Sequence, residues 1–195
     1  MWNERFAADG YAYGEEPNEF LADSMHLIPR GRVLCLAEGQ GRNAVYLARH
    51  GYEVTAVDWS EAGLDKARKL AEKHYVTIHT VMADLNAYKI KPESWSGIIA
   101  IFAHLDPSLR QRIHNACVNG LVPGGVMILE AYTPDQLSYG TGGPKDPDLL
   151  MTRSRLIDEF AGLNVLHAVE MVRRVSEGKH HTGDAAVVQF VGQKS

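Results

Sequence analysis

The chain has 195 residues, of which 45% are hydrophobic and 23% charged, and its formal net charge is −4. That length suits one domain with a substantial core and is short for two. A slightly acidic balance without blocks of one sign argues against a nucleic-acid partner, and no apolar stretch reaches membrane-spanning length.

Met1 to Arg5 lacks the basic start and apolar run of a signal peptide, so a soluble cytoplasmic protein is expected. The stretch DGYAYGEEPNEFL sets turn residues ahead of an amphipathic run with Phe20, Leu21 and Met25, which reads as a helical cover over residues 1–30. Val33 to Leu36 is a buried strand, and Ala44, Leu47 and Ala48 mark the inner face of the next helix. Glu53 to Val57 is a second strand, followed by Ser60 as an N-cap and a helical stripe of Leu64, Ala67 and Ala71. Val76 to Met82 and Gly97 to Phe102 read as strands three and four. Asp106-Pro107 then sets a cap and a first-turn proline ahead of Leu109, Ile113, Ala116 and Cys117. Pro123-Gly124-Gly125 turns into a fifth strand, Val126 to Leu129. The loop SYGTGGPKDPD (138–148) is too rich in Gly and Pro to pack a core and reads as a binding or lid element. Thr152 caps a short helix through Phe160. Asn164 to Val175 and Ala185 to Val191 form a closing hairpin. Cys35 and Cys117 read as reduced core residues rather than a disulfide or metal pair.

The β-α alternation predicts an α/β fold, a mainly parallel sheet with helices on both faces and one antiparallel strand from the hairpin. The whole of 1–195 reads as one domain. Gly39, Gly41 and Ala44 fit the G-x-G-x-x-G/A turn after a first strand, and Asp58 closes the second strand, where an acid can take ribose hydroxyls. A dinucleotide and S-adenosylmethionine both use that arrangement. Glu38, directly before Gly39, favours the second: a carboxylate there repels a pyrophosphate and suits a ligand with an amine and a sulfonium.

VLCLAEGQGRNAVYLA, VTAVDWS, ADL, IIAIFAHLDP and LVPGGVMILEAY stand in the order and spacing of the class I S-adenosylmethionine-dependent methyltransferases. The chain resembles that family from about Tyr13 to its end. It is most similar to the tellurite-resistance and thiopurine S-methyltransferase-like branch, through Gly41-Arg42-Asn43-Ala44, Tyr13-Gly14, Pro17-Asn18 and the late Glu177, His181, Thr182 and Gly183. The resemblance implies a Rossmann-like, doubly wound, seven-stranded sheet of order 3-2-1-4-5-7-6 with strand 7 antiparallel, and S-adenosyl-L-methionine as cofactor. It implies that Gly39 and Gly41 turn beneath the methionine part, Asp58 takes the ribose, and Trp59 packs on the adenine. Ala83, Asp84 and Leu85 would border the adenine, and Phe102 and Ala103 would line the end of strand four. Tyr13, Arg42, Asn43 and Ser60 complete the implied cofactor contacts. The chain departs from the family at Cys35, where an Asp is usual, at Ala37, where the first Gly is usual, and at Glu38, where a Cys is common.

His104, Tyr132 and Tyr139 read as walls of an acceptor pocket, with His104 as packing or as a base. Lys145, Arg153 and His181 are candidates to draw an anion to its mouth, or surface residues. Arg173-Arg174 alternate across a strand, so at most one faces inward. His180-His181 lacks further ligands at metal spacing, and no metal is expected. The expected activity is methylation of a small molecule, a soft sulfur, selenium or tellurium nucleophile, by a monomer or homodimer. A nicotinamide-dependent oxidoreductase and a non-catalytic S-adenosylmethionine-binding module are the alternatives.

Overall fold

The computed structural model describes residues 2–178 and 181–195, apart from the side chain of His181. The strands are β1 (Arg32–Leu36), β2 (Glu53–Asp58), β3 (His79–Met82), β4 (Trp95–Ile101), β5 (Leu121–Tyr132), β6 (Asn164–Glu177) and β7 (His181–Gln193). The helices are α1 (Trp2–Ala7), α2 (Glu19–Ser24), α3 (Arg42–Arg49), α4 (Glu61–Lys73), α5 (Pro107–Gly120) and α6 (Arg153–Glu159), with short 3₁₀ turns at Met25–Leu27, Pro134–Ser138 and Pro147–Leu149. The seven strands form one sheet in the order β3-β2-β1-β4-β5-β7-β6. Strand β7 alone runs against its neighbours β5 and β6. This is the Rossmann-like arrangement that the resemblance implied.

Strand β1 shows why the sheet is built this way. Leu34 and Leu36 pack into one apolar layer with α5 and α6, Val33 and Cys35 into the other with α2 and α3, and all four are buried. A strand covered on both faces has no polar side, hence the unbroken apolar run. The free cysteines Cys35 and Cys117 are buried in opposite layers. The helices begin where their caps direct: Ser60 Oγ accepts Gly63 N–H at 3.2 Å, Asp106 Oδ1 accepts Leu109 N–H at 3.1 Å, and Thr152 Oγ1 accepts Arg155 N–H at 3.3 Å. Gly41 has φ 87°, and a Cβ there would lie 2.5 Å from the Cβ of Ala67, so only glycine lets α3 start this close to α4.

Several elements differ from the sequence expectation, β6 and β7 by being longer at their ends. Strand β3 starts at His79 rather than Val76, because Tyr75 turns left-handed (φ 56°) and Val76 N–H closes α4 on Ala71 O at 3.0 Å. Strand β5 is longer than expected. Pro123-Gly124-Gly125 lies inside it, tied to the chain end by Lys194 N–H to Gly125 O at 2.9 Å. Helix α1 is a separate element packed on α4. None of the described helices is long and apolar enough to cross a membrane.

Candidate functional site

Chain order reverses between β1 and β4, and in open α/β sheets ligands bind beyond the strand ends at such a point. A cavity of about 730 Å³ opens there, within the range of small-molecule sites. One side of its wall leaves β1, β2 and β3 and carries Glu38, Asp58 and Asp84. The other leaves β4 and β5 and is mainly apolar or aromatic, with Phe102, Leu105, Leu109, Tyr132, Pro144 and Leu149. Ala37 (φ 50°) and Phe102 (φ 53°), the residues just beyond β1 and β4, hold left-handed backbone conformations on this wall. Strain of that kind persists where surrounding structure imposes it.

The acids are positioned by backbone donors. Asp58 accepts Gly39 N–H on Oδ2 and Ser60 N–H on Oδ1, each at 2.8 Å. It thereby ties the glycine turn to the start of α4, while each oxygen keeps a lone pair for a ligand hydroxyl. Burial raises its carboxyl above the ordinary range, against the pull of those N–H groups. Glu38 Oε1 accepts Asn43 N–H at 3.0 Å and Ala44 N–H at 2.8 Å, the free donors of the first turn of α3. Burial, the largest effect, pushes its carboxyl up to about 7. Asp84 turns on itself, accepting Asn86 N–H at 2.7 Å. Trp59 stands 61% exposed at the edge of the wall, a free aromatic face beside Asp58.

Helix α1 closes the near side. Trp2, Arg5 and Phe6 are wall residues, and a Cβ on Gly39 would come within 2.9 Å of the Phe6 ring. Asn3 Oδ1 accepts Ser60 O–H at 3.0 Å and Ala62 N–H at 3.1 Å, fastening α1 to the start of α4. Gln40 accepts Ala12 N–H at 2.7 Å, and Arg5 donates to the Tyr13 hydroxyl at 2.9 Å. Behind Arg42 and Asn43 lies a buried polar network. Arg42 pairs with Glu177 at 2.5 Å, and Asn43 Oδ1 accepts Asn18 N–H at 2.9 Å. Asn18 Nδ2 donates to Glu130 at 2.6 Å and Glu177 at 2.8 Å, and Arg173 donates twice to Glu130, at 2.8 and 2.7 Å. Arg173 is thus the inward member of its pair, and Arg174 is exposed.

His104 is fastened through both ring nitrogens. Nδ1 donates to Phe102 O at 3.1 Å, and Nε2 accepts Tyr132 N–H at 3.0 Å. This assigns a neutral ring with its proton on Nδ1, joining the ends of β4 and β5.

The cavity brings together Tyr13, Glu38, Gly39, Arg42, Asn43, Asp58, Trp59, Ala83, Asp84, Leu85, Phe102, Ala103, His104 and Tyr132. Gly41 and Ser60 stand behind the wall, as a helix start and a cap. Tyr139, Lys145 and Arg153, expected at the acceptor side, are not wall residues. Tyr139 and Lys145 are exposed on the loop, where the neighbouring Gly142, Gly143 and Pro144 reach the cavity instead. Arg153 braces α6 against β6 by donating to Ala168 O at 2.8 Å. The His181 side chain and all of His180 lie outside the described residues. Among the described residues, no cluster of His, Cys, Asp or Glu could hold a metal.

Sequence reasoning missed Trp2, Arg5, Phe6 and Gln40 in the wall. The Trp2–Phe6 spacing, one helical turn, was the available signal. It also missed the network, which a lone carboxylate in the apolar run VMILEAY announces at Glu130.

The residues decide between the two nucleotides. A dinucleotide rests its pyrophosphate on the N–H groups that open the helix after the glycine turn, and here Glu38 already occupies those donors. A nucleoside with an ammonium in place of the pyrophosphate suits this wall: a carboxylate at the turn, Asp58 at the end of β2 and an aromatic face beyond it. The comparisons agree. A family described as methyltransferase domain matches residues 33–125. The chain is thus similar, over just under half of its length, to that methyltransferase domain. The cofactor of that domain is S-adenosylmethionine. TehB of Haemophilus influenzae, named as an S-adenosyl-L-methionine-dependent methyltransferase, is 33% identical over 101 residues, 51% of this chain and 34% of that protein. The uncharacterized methyltransferase YbaJ of Bacillus subtilis is 45% identical over 60 residues, 29% of this chain and 24% of that one. The matched region thus spans about a third or less of these relatives' length. Among solved structures, one concerning conversion of a disulfide bond into a thioacetal group in echinomycin biosynthesis has a TM-score of 0.78 at 20% identity, covering 99% of this chain and 89% of that one. The crystal structure of Haemophilus influenzae TehB gives 0.75 at 20% identity, covering 100% and 66%. At such identities the likeness is one of fold.

Proposed function

We propose that this chain methylates a small, soft nucleophile, a thiolate, selenide or related chalcogen anion, with residues 1–195 acting as one catalytic domain and residues 1–30 as its cover. When bound, S-adenosylmethionine supplies an activated methyl group together with its own leaving group. The protein's part is to hold donor and acceptor in line and keep water out. Asp58 receives the ribose hydroxyls, Glu38 the ammonium, and Trp59 the adenine face. Helix α1, through Phe6 and Trp2, covers the glycine turn. Phe102, Tyr132 and Leu109 form the surface against which the acceptor rests.

The observation that carries this reading is His104. Both of its ring nitrogens are engaged by backbone groups, so taking a proton from an acceptor would cost the hydrogen bond from Tyr132 N–H. An amine or alcohol must lose a proton during methylation. A thiolate or selenide is already a nucleophile near neutral pH. The likeness to the tellurite-resistance branch points to the same acceptors, although fold alone does not choose a substrate. Incubation with S-adenosylmethionine and a panel of small thiols, selenide, tellurite, amines and alcohols tests the reading through S-adenosylhomocysteine release. Turnover of a chalcogen acceptor is expected. Turnover confined to amines or alcohols would overturn it.

A further inference from the structure

Glu38 has a different neighbour on each side. Its Oε1 is committed to α3, accepting Asn43 and Ala44 N–H at 3.0 and 2.8 Å. The carboxyl also acts on the Cys35 thiol of β1, which burial first and Glu38 second push up. Its remaining side contributes to the cavity wall. Two charged groups act on it, Arg42 from α3 and Asp58 from β2. Arg42 is already paired at 2.5 Å with Glu177 of β6, and Asp58 adds a like charge. Glu38 is therefore a half-buried acid whose neighbouring cation is committed elsewhere. Burial raises its carboxyl to about 7, and Asp58 adds to the rise, against the pull of Ala44 N–H, Arg42 and Asn43 N–H. The positions that usually hold an acid and a thiol in the resembling family have exchanged residues here: Cys35 stands on the strand and Glu38 in the turn.

Resting on the methyltransferase reading, we propose that Glu38 receives the cofactor's ammonium and that binding displaces the Glu38 proton into solvent. The O–H bond of the neutral acid breaks, water or buffer takes the proton, and the carboxylate left behind faces the ammonium. The ammonium lowers the carboxyl in the complex. The sign follows: a protonated Glu38 must ionise before binding, so affinity falls as pH drops below about 7.

Calorimetric titration with S-adenosylhomocysteine, in buffers of differing ionisation enthalpy, counts the protons released. Adenosine serves as the control, because it meets Asp58 but carries no ammonium. The expected release at pH 7 is about half a proton per S-adenosylhomocysteine beyond that for adenosine, and affinity should rise roughly eightfold more than for adenosine between pH 6 and 7.5. In Glu38→Gln both differences should vanish. Equal release for the two ligands in the native protein would overturn the proposal without recourse to any variant. So would release that persists in Glu38→Gln. If S-adenosylhomocysteine and S-adenosylmethionine do not bind at all, the methyltransferase reading beneath it fails instead.

Discussion

Asp58 serves two purposes with one carboxylate. It holds Gly39 and Ser60 N–H at 2.8 Å each and faces the cavity. Two charge-assisted hydrogen bonds to ribose hydroxyls, about 1.5 kcal/mol or more each, make Asp58→Ala weaken binding on the order of a hundredfold. Adenosine and S-adenosylhomocysteine should suffer alike in calorimetry; loss for S-adenosylhomocysteine alone would assign Asp58 to the other end of the ligand. The structural half of its work should appear separately, as a Tm lower by roughly 2–8 °C without ligand. The place of Asp58 on the cavity wall was legible, since an acid closing a second strand has a known use. Its grip on the glycine turn was not, because that depends on how closely β1 and β2 approach at their ends. Glu38 was legible as a carboxylate in the turn, whereas its capping of α3 depends on the left-handed backbone at Ala37, Gly39 and Gly41.

Elements far apart in the chain meet at Asn18, which caps α2 by accepting Leu21 N–H at 3.0 Å and joins β5 to β6 through Glu130 and Glu177. The joint is fully buried, with Asn18 and Glu130 both 0% exposed. Buried charges are stable only when every partner is present. Asn18→Ala should therefore destabilise the protein by about 2–4 kcal/mol, leaving two carboxylates short of a donor. That corresponds to a Tm lower by roughly 4–16 °C, read by circular dichroism; a shift below about 1 °C would show that water replaces the amide. Strands β1, β2 and β4 and their following helices were legible because apolar runs and caps are local signals. Helix α1 was not. Six residues with one buried side chain, Phe6, carry little periodicity, and its place comes from Asn3 meeting the start of α4. The lengths of β5, β6 and β7 were also understated, since pairing across the hairpin extends strands beyond their apolar centres.

For the molecule as a whole, the site is held at some cost to stability. A carboxyl raised in the folded state binds its proton more tightly there than in the unfolded chain. Its contribution is thus most favourable near and below its ordinary value and is lost as pH rises through about 7. Glu38→Gln removes that titration and can keep the acceptor for α3. Relative to the native protein without ligand, the variant should gain stability from pH 5 to pH 8, by at most about 3 kcal/mol. Thermal unfolding of both proteins at matched pH checks this, and a constant difference would mean that Glu38 stays ionised throughout. The most direct test of the central claim is the rate of S-adenosylhomocysteine formation from one small thiol at saturating S-adenosylmethionine. It should be followed across the thiol's ionisation in the native protein and in His104→Ala. The account predicts a rate that climbs with the thiolate fraction and levels near the thiol's own pKa, with His104→Ala within about tenfold of native. An amine methylated efficiently by the native protein, and on the order of a hundredfold or more slowly by His104→Ala, would contradict it.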